Sequence, residues 1–157
     1  MASEWVASGA FTVSSSQSKI SLTPHRPSDF SSAVANDALR LSLAGRETLH
    51  NISQSRNLDS LHPAWSSIQI YYAAFYYASA FLRIVGTSQS FLQVKEISSL
   101  RALLNAMGHP LLPGTGLYQL TFNQSGTAIE FSKLNLGSHE ALWTEMRSYI
   151  QSLKSRI

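Results

Sequence analysis

The sequence predicts a mainly α fold, a helical bundle carrying a small β-hairpin. Three observations predict it. Four segments repeat apolar residues at three- and four-residue spacing, the period of one helix face. The stretch 63–85 is almost uncharged and apolar nearly all round, as a helix central to its domain is. One pair of short apolar segments flanks Asn123-Gln124-Ser125-Gly126, which marks a single hairpin.

Residues 1–27 read as an irregular or β lead-in. Trp5, Phe11, Val13, Ile20 and Leu22 sit among serines there, with Pro24 and Pro27 at the exit. Residues 28–157 read as one helical-bundle domain. Ser28 is an N-cap residue type and Asp29 puts a carboxylate in the first turn. Phe30, Val34, Ala38 and Leu41 then give a helix over about 28–53. Pro63 suits the first position of the next helix, 63–85, because its missing N–H would be unpaired there in any case. Trp65, Ile68, Tyr72, Phe75 and Leu82 make one apolar face and Tyr71, Ala74, Ala78, Phe81 and Val85 another, so burial on every side is expected. Gly86 is a stop signal, and 87–90 reads as a loop. Val94, Ile97, Leu100, Leu104 and Met107 give a third helix over about 94–107, ended by Gly108 and Pro110. The hairpin spans about 117–132. Leu142, Trp143, Met146, Ile150 and Leu153 line a last helix over about 139–156, capped by Ser138.

A chain of 157 residues is about one domain. Charged residues are 13% of it, about half the ordinary share, and a surface so low in charge is one that a partner or second copy covers. The net charge is +3, and eight of the twelve basic residues are arginines, the side chain suited to bidentate phosphate contact. This is compatible with RNA as a partner. There is no cysteine, hence no disulfide and no thiolate metal site. The first residues lack a basic n-region and a long apolar h-region, so a cytoplasmic protein with no signal peptide and no membrane partner is expected. No HExxH, no His–carboxylate cluster and no glycine-rich phosphate loop occurs, so neither metal nor cofactor is expected.

The pattern that bears on chemistry is Arg56-Asn57, then His62, at the mouth of the aromatic helix. A histidine moves protons near neutral pH. An arginine is a fixed cation that grips two phosphate oxygens. Together they can drive attack of an RNA 2′-hydroxyl on its own phosphate, with Asn57 positioning. Six residues along a helix would leave Arg56 and His62 about 120° out of line, but Pro63 starts a new helix and lets the intervening chain bend. The structural alternative is that His62 caps the helix and Arg56 pairs with Asp59 or Glu47. Arg46 and Arg83 are the candidate RNA-binding residues, and Arg83 has its own alternative as a buried arginine beside a carboxylate. His50, His109, His25 and His139 read as helix-face, helix-end, loop and first-turn residues.

The helix with Tyr71-Tyr72-Ala73-Ala74-Phe75-Tyr76-Tyr77-Ala78-Ser79-Ala80-Phe81-Leu82, preceded by Arg56-Asn57 and His62 with five residues between, resembles the core of HEPN domains. The resemblance covers residues 28–107. It implies a HEPN-like helical bundle of the prokaryotic defence and toxin–antitoxin kind, a homodimer that pairs its motifs in one cleft, and a metal-independent endoribonuclease. In many members the motif follows the tyrosine-rich helix; here it precedes it. Two functions therefore stand, beside a third, an RNA-binding subunit without cleavage, if Arg56 and the other arginines cluster while His62 is buried. The first is an RNA-cutting toxin or anti-phage effector with Arg56, Asn57 and His62 as its catalytic residues. The second is a non-catalytic dimerising or adaptor subunit, partnered by an antitoxin or a larger defence complex.

Overall fold

The computed structural model describes residues 2–15, 20–55, 63–109, 113–123 and 126–155. In chain order its elements are α1 (Ala2–Ser8), β1 (Phe11–Ser15), β2 (Ile20–Pro24), α2 (Pro27–Ser55), α3 (Pro63–Ile84), β3 (Thr87–Leu92), α4 (Val94–Ala106), β4 (Gly116–Phe122), β5 (Ile129–Lys133) and α5 (Ser138–Lys154).

The five strands form one antiparallel sheet in the order β1-β2-β5-β4-β3. This overturns the expected mainly α, HEPN-like bundle with a small hairpin. The hairpin is the β4–β5 pair, and it is the middle of a sheet rather than an insertion. Two signals were weak for a physical reason. Thr87-Ser88-Gln89-Ser90 has no apolar alternation, so it reads as a loop. It becomes a strand because it pairs along its whole length with β4, from Thr87 opposite Thr121 to Leu92 opposite Gly116. β1 and β2 are serine- and threonine-rich and pair with each other, and β2 pairs on its other side with β5.

Alternate residues of β4 face opposite sides of the sheet. Tyr118, Leu120 and Phe122 face the main core with Phe11, Leu22, Ile129 and Phe131. α1, α4 and the start of α2 close that side through Ala2, Trp5, Val6, Phe30, Val34, Ile97, Leu100 and Leu104. Trp5 packs edge-on to Phe30 at 4.6 Å, so the first helix is part of the core. Gln119 faces the other side, where its amide donates to Glu145 on α5 at 3.4 Å. There α3 and α5 share a smaller core of Ala78, Leu82 and Leu142, edged by Phe75, Val85, Trp143 and Met146. The protein is thus three layers deep, helices on both faces of a sheet.

α4 stops at a left-handed glycine. Gly108 has φ +66°, its N–H donates to the Asn105 carbonyl at 3.0 Å, and the His109 N–H donates to that of Leu104 at 2.9 Å. That pair of bonds satisfies two carbonyls that the helix end leaves open. No helix among the described residues is long and apolar enough to cross a membrane.

The buried face of α4 gives a direct check. Leu104→Ala should cost about 2–5 kcal/mol, because Leu104 is fully enclosed. Leu103→Ala, one position along and 37% exposed, should change stability by about 0.5 kcal/mol or less. Urea unfolding of the two variants measures the difference; equal costs would mean that α4 presents another face to the core.

Candidate functional site

α2 and α3 run antiparallel. Asp37 lies by Arg83 near one end of the pair, and Gly45 meets Tyr77 further along. Thr48 and Asn51 stand across from Trp65 and Gln69 near the other end. A Cβ on Gly45 would stand 3.0 Å from the Tyr77 ring, so glycine is what lets the helices come this close. The segment 56–62 joins the C-terminal end of α2 to the N-terminal end of α3. Arg56, Asn57 and His62 all fall in it, outside the described residues.

The two candidate RNA-binding arginines do not share a surface. Asp37 and Arg46 are nine residues apart on α2, which at about 100° per residue puts them on opposite sides of the helix. Asp37 faces Arg83. Arg46 is exposed and lines a shallow hollow on the outer side with Leu43, Glu47 and His50.

Arg83 points inward. Its Nη1 donates to the Ser79 carbonyl at 3.1 Å and its Nη2 to the Gln89 carbonyl on β3 at 2.8 Å. Its Nε lies 4.0 Å from Asp37 Oδ2, and that oxygen accepts the Ala2 backbone N–H at 3.0 Å. Burial of the guanidinium pulls its pKa below the ordinary arginine value, and the Asp37 charge opposes that pull. One arginine therefore fastens α3 to β3, and through Asp37 to α2 and α1. This is the carboxylate-paired geometry.

A second cluster sits where α3 meets α5. The Trp143 indole N–H can only donate, and it donates to the Tyr71 hydroxyl oxygen at 3.1 Å. The Tyr71 hydroxyl lies 2.8 Å from His139 Nδ1. In one imidazole tautomer the Tyr71 hydroxyl donates to Nδ1, and in the other Nδ1–H donates to the hydroxyl oxygen. The His139 ring stacks on Phe75 at 4.3 Å. Reading His139 as a first-turn residue places it correctly on α5 but misses this partnership. No spacing rule links residues 68 positions apart.

α3 is not buried on every side, as its composition predicts. Trp65, Ile68, Ile70, Tyr71, Tyr72, Tyr77, Phe81 and Ile84 are all exposed. Its one charged residue, Arg83, is turned inward. Ile70, Ala74, Tyr77, Phe81 and Ile84 follow one another at spacings of four, three, four and three, the repeat of a coiled-coil seam. Ile84 is 74% exposed and Ile70 51%. The seam is flanked by α5, where Tyr149 meets Phe81 edge-on at 5.3 Å. The spacing is present in the sequence, but on a helix apolar all round nothing marks this stripe as the uncovered one.

The Arg83 clasp predicts a stability effect. Asp37→Ala leaves a buried guanidinium without its carboxylate and should cost about 3–5 kcal/mol in urea unfolding. Adding Arg83→Met should cost much less than its own separate effect, because the stranded charge is then gone. Additive losses would mean that the two side chains act independently. Searched against known proteins, the chain matches no family model, no curated protein and no solved structure.

Proposed function

We propose that this protein is an interaction module that pairs with a second copy of itself through α3, the dimerising or adaptor reading. The observation that carries it is the exposed seam Ile70, Ala74, Tyr77, Phe81 and Ile84 on a helix with no outward charge. Contiguous apolar surface of this kind marks contact sites in soluble proteins. The seam is also complementary to itself. About a two-fold axis at Tyr77, an antiparallel copy sets Ile70 against the partner's Ile84. The same axis sets Ala74 against the partner's Phe81, small against large. A pairing of this kind is isologous and closes on itself.

The metal-independent ribonuclease reading stands second. What supports it is the sequence pattern Arg56-Asn57 and His62, together with its place in the short connection between two antiparallel helix ends. Closeness of those helix ends is compatible with an arginine and a histidine six positions apart serving one site.

Ala74→Glu tests the first reading. Ala74 is exposed, so the fold should tolerate the change. A carboxylate desolvated at the seam costs several kcal/mol, so the dimer dissociation constant should rise by about a hundredfold or more. Sedimentation velocity across a concentration series reads this, with Asn36→Glu on the far side of α2 as the control. A wild type that stays monomeric throughout would sink self-pairing. For the second reading, labelled RNA should be cut in EDTA by the wild type and not by His62→Ala; uncut RNA in both, or equal cutting, would remove it.

A further inference from the structure

Two hollows adjoin at the corner where α2, α3 and β3 meet. The first, of about 260 Å3, has mainly hydrocarbon walls, from Leu41, Phe75, Leu82, Phe91, Leu117 and Leu142. The second, of about 390 Å3, is polar, with Arg40, Arg83, Asp37, Ser3 and Ser90 in its walls. Leu41, Arg83, Gln89 and Phe91 line both, so the two meet there. Ser79, in the wall of the apolar hollow, is two positions along α3 from Tyr77. That puts it about 160° around the helix, so the apolar hollow is not on the pairing face.

The walls state what each hollow accepts. Protein interiors pack as tightly as organic crystals, and apolar walls give water few partners. A cavity of about 150 Å3 with such walls takes one benzene ring, so this one takes up to about ten carbons. Gln89 adds no free donor, since its amide N–H groups are engaged by the Ala141 carbonyl at 3.2 Å and by Gln119 Oε1 at 3.3 Å. At the joint the chemistry changes. Arg40 is exposed on α2 and Arg83 faces it from α3. Asp37 is the one carboxylate in these walls among the described residues, and its Oδ2 already has the Ala2 N–H and Arg83 beside it. Each Arg83 Nη carries two N–H groups, and one of each is engaged by the Ser79 and Gln89 carbonyls. Two cations against one carboxylate leave a positive charge next to hydrocarbon. Arg40 also interacts with Glu4 of α1, so an incoming anion competes with Glu4 for it.

We infer that the joined hollows bind an apolar acid, its chain or ring of up to about ten carbons between Phe75, Leu117 and Leu142 and its anionic head between Arg40 and Arg83. A guanidinium meets the oxygens of a carboxylate or a phosphate with paired N–H groups, so either head has this chemistry. The inference stands apart from the pairing of copies and from cleavage, since it uses neither the seam nor Arg56 and His62.

The test is isothermal calorimetry of the full chain with octanoate, octanol, hexanoate, acetate and octyl phosphate. Octanoate should bind about tenfold tighter than octanol, and hexanoate about tenfold weaker than octanoate. Acetate, a head without a tail, should show no binding at the same concentrations. Arg40→Gln, a change at an exposed side chain, should remove the advantage of octanoate and leave octanol as it was. Glu4→Gln should tighten octanoate. Leu41→Trp puts a ring into the joint and should abolish binding of acid and alcohol together. Phe91→Ala, at a side chain 64% exposed, should leave the protein folded and weaken both alike. Tighter binding of octyl phosphate assigns a phosphate head, and tighter binding of octanoate a carboxylate. No binding, equal wild-type affinity for acid and alcohol, no dependence on chain length, or an octanoate advantage that survives in a folded Arg40→Gln protein overturns the inference.

Discussion

The structure depends on how α3 is held. Two residues separate Ile84 from Thr87, and over that short turn the chain passes from helix to edge strand. Arg83 secures the corner, donating to the carbonyl of Gln89 on the strand and lying beside Asp37 of the neighbouring helix. Its Nη1 and Nη2 are hydrogen-bonded, while its Nε is buried without a hydrogen-bond partner and has only the Asp37 charge 4.0 Å away. The sheet, α5 and α1 are all arranged around it. Because the anchor is at one end, the rest of the helix extends past the sheet with only α2 and the first turns of α5 beside it. Exposure is not confined to the far end, since Ile84 beside the anchor is 74% exposed.

The two surfaces that result are different in kind. The seam is wholly hydrocarbon and aromatic, and its worth lies in being covered. The groove between α2 and α3 instead mixes the rings of Trp65, Tyr72 and Tyr76 with the amides of Asn51 and Gln69 and the Thr48 hydroxyl. Both come from one amphipathic requirement divided between two sides of one helix. Gly45 makes the division possible, since the close approach at Tyr77 draws the middle of the pair together while the N-terminal half of α3 stands open.

Much of the fold was legible in the sequence, and the failures have physical causes. The ranges of α2, α3, α4 and α5 followed from periodicity and from Pro63, Gly86 and Gly108. The β4–β5 hairpin followed from its turn residues. β3 was hidden because its hydroxyl- and amide-rich sequence carries no propensity; pairing with β4 supplies what the residues do not. α1 was hidden because seven residues give too little length for a period, although Ala2, Trp5 and Val6 do lie on one face. Of the site, Arg83 was legible as an arginine in need of a carboxylate, but not as the bond between four elements. Tyr71 and His139 were illegible as partners, since only the packing of α5 brings them together. The exposed stripe of α3 was legible in spacing and illegible in direction, because composition tells that a helix is apolar and not which side is left bare.

α3 is held along its length, by Arg83 at the corner, by Gly45 against Tyr77 in its middle, and by the Tyr71 hydroxyl with His139 and Trp143 nearer its start. The 22 residues of α3 span about 33 Å at 1.5 Å per residue. A tilt of about 5° at the Gly86 corner would carry Pro63 through roughly 3 Å, by the same geometry. The contacts at Tyr77 and Tyr71 lie along that length and oppose such a tilt. The same length that would magnify a tilt at the corner lets contacts far from it hold the helix in place.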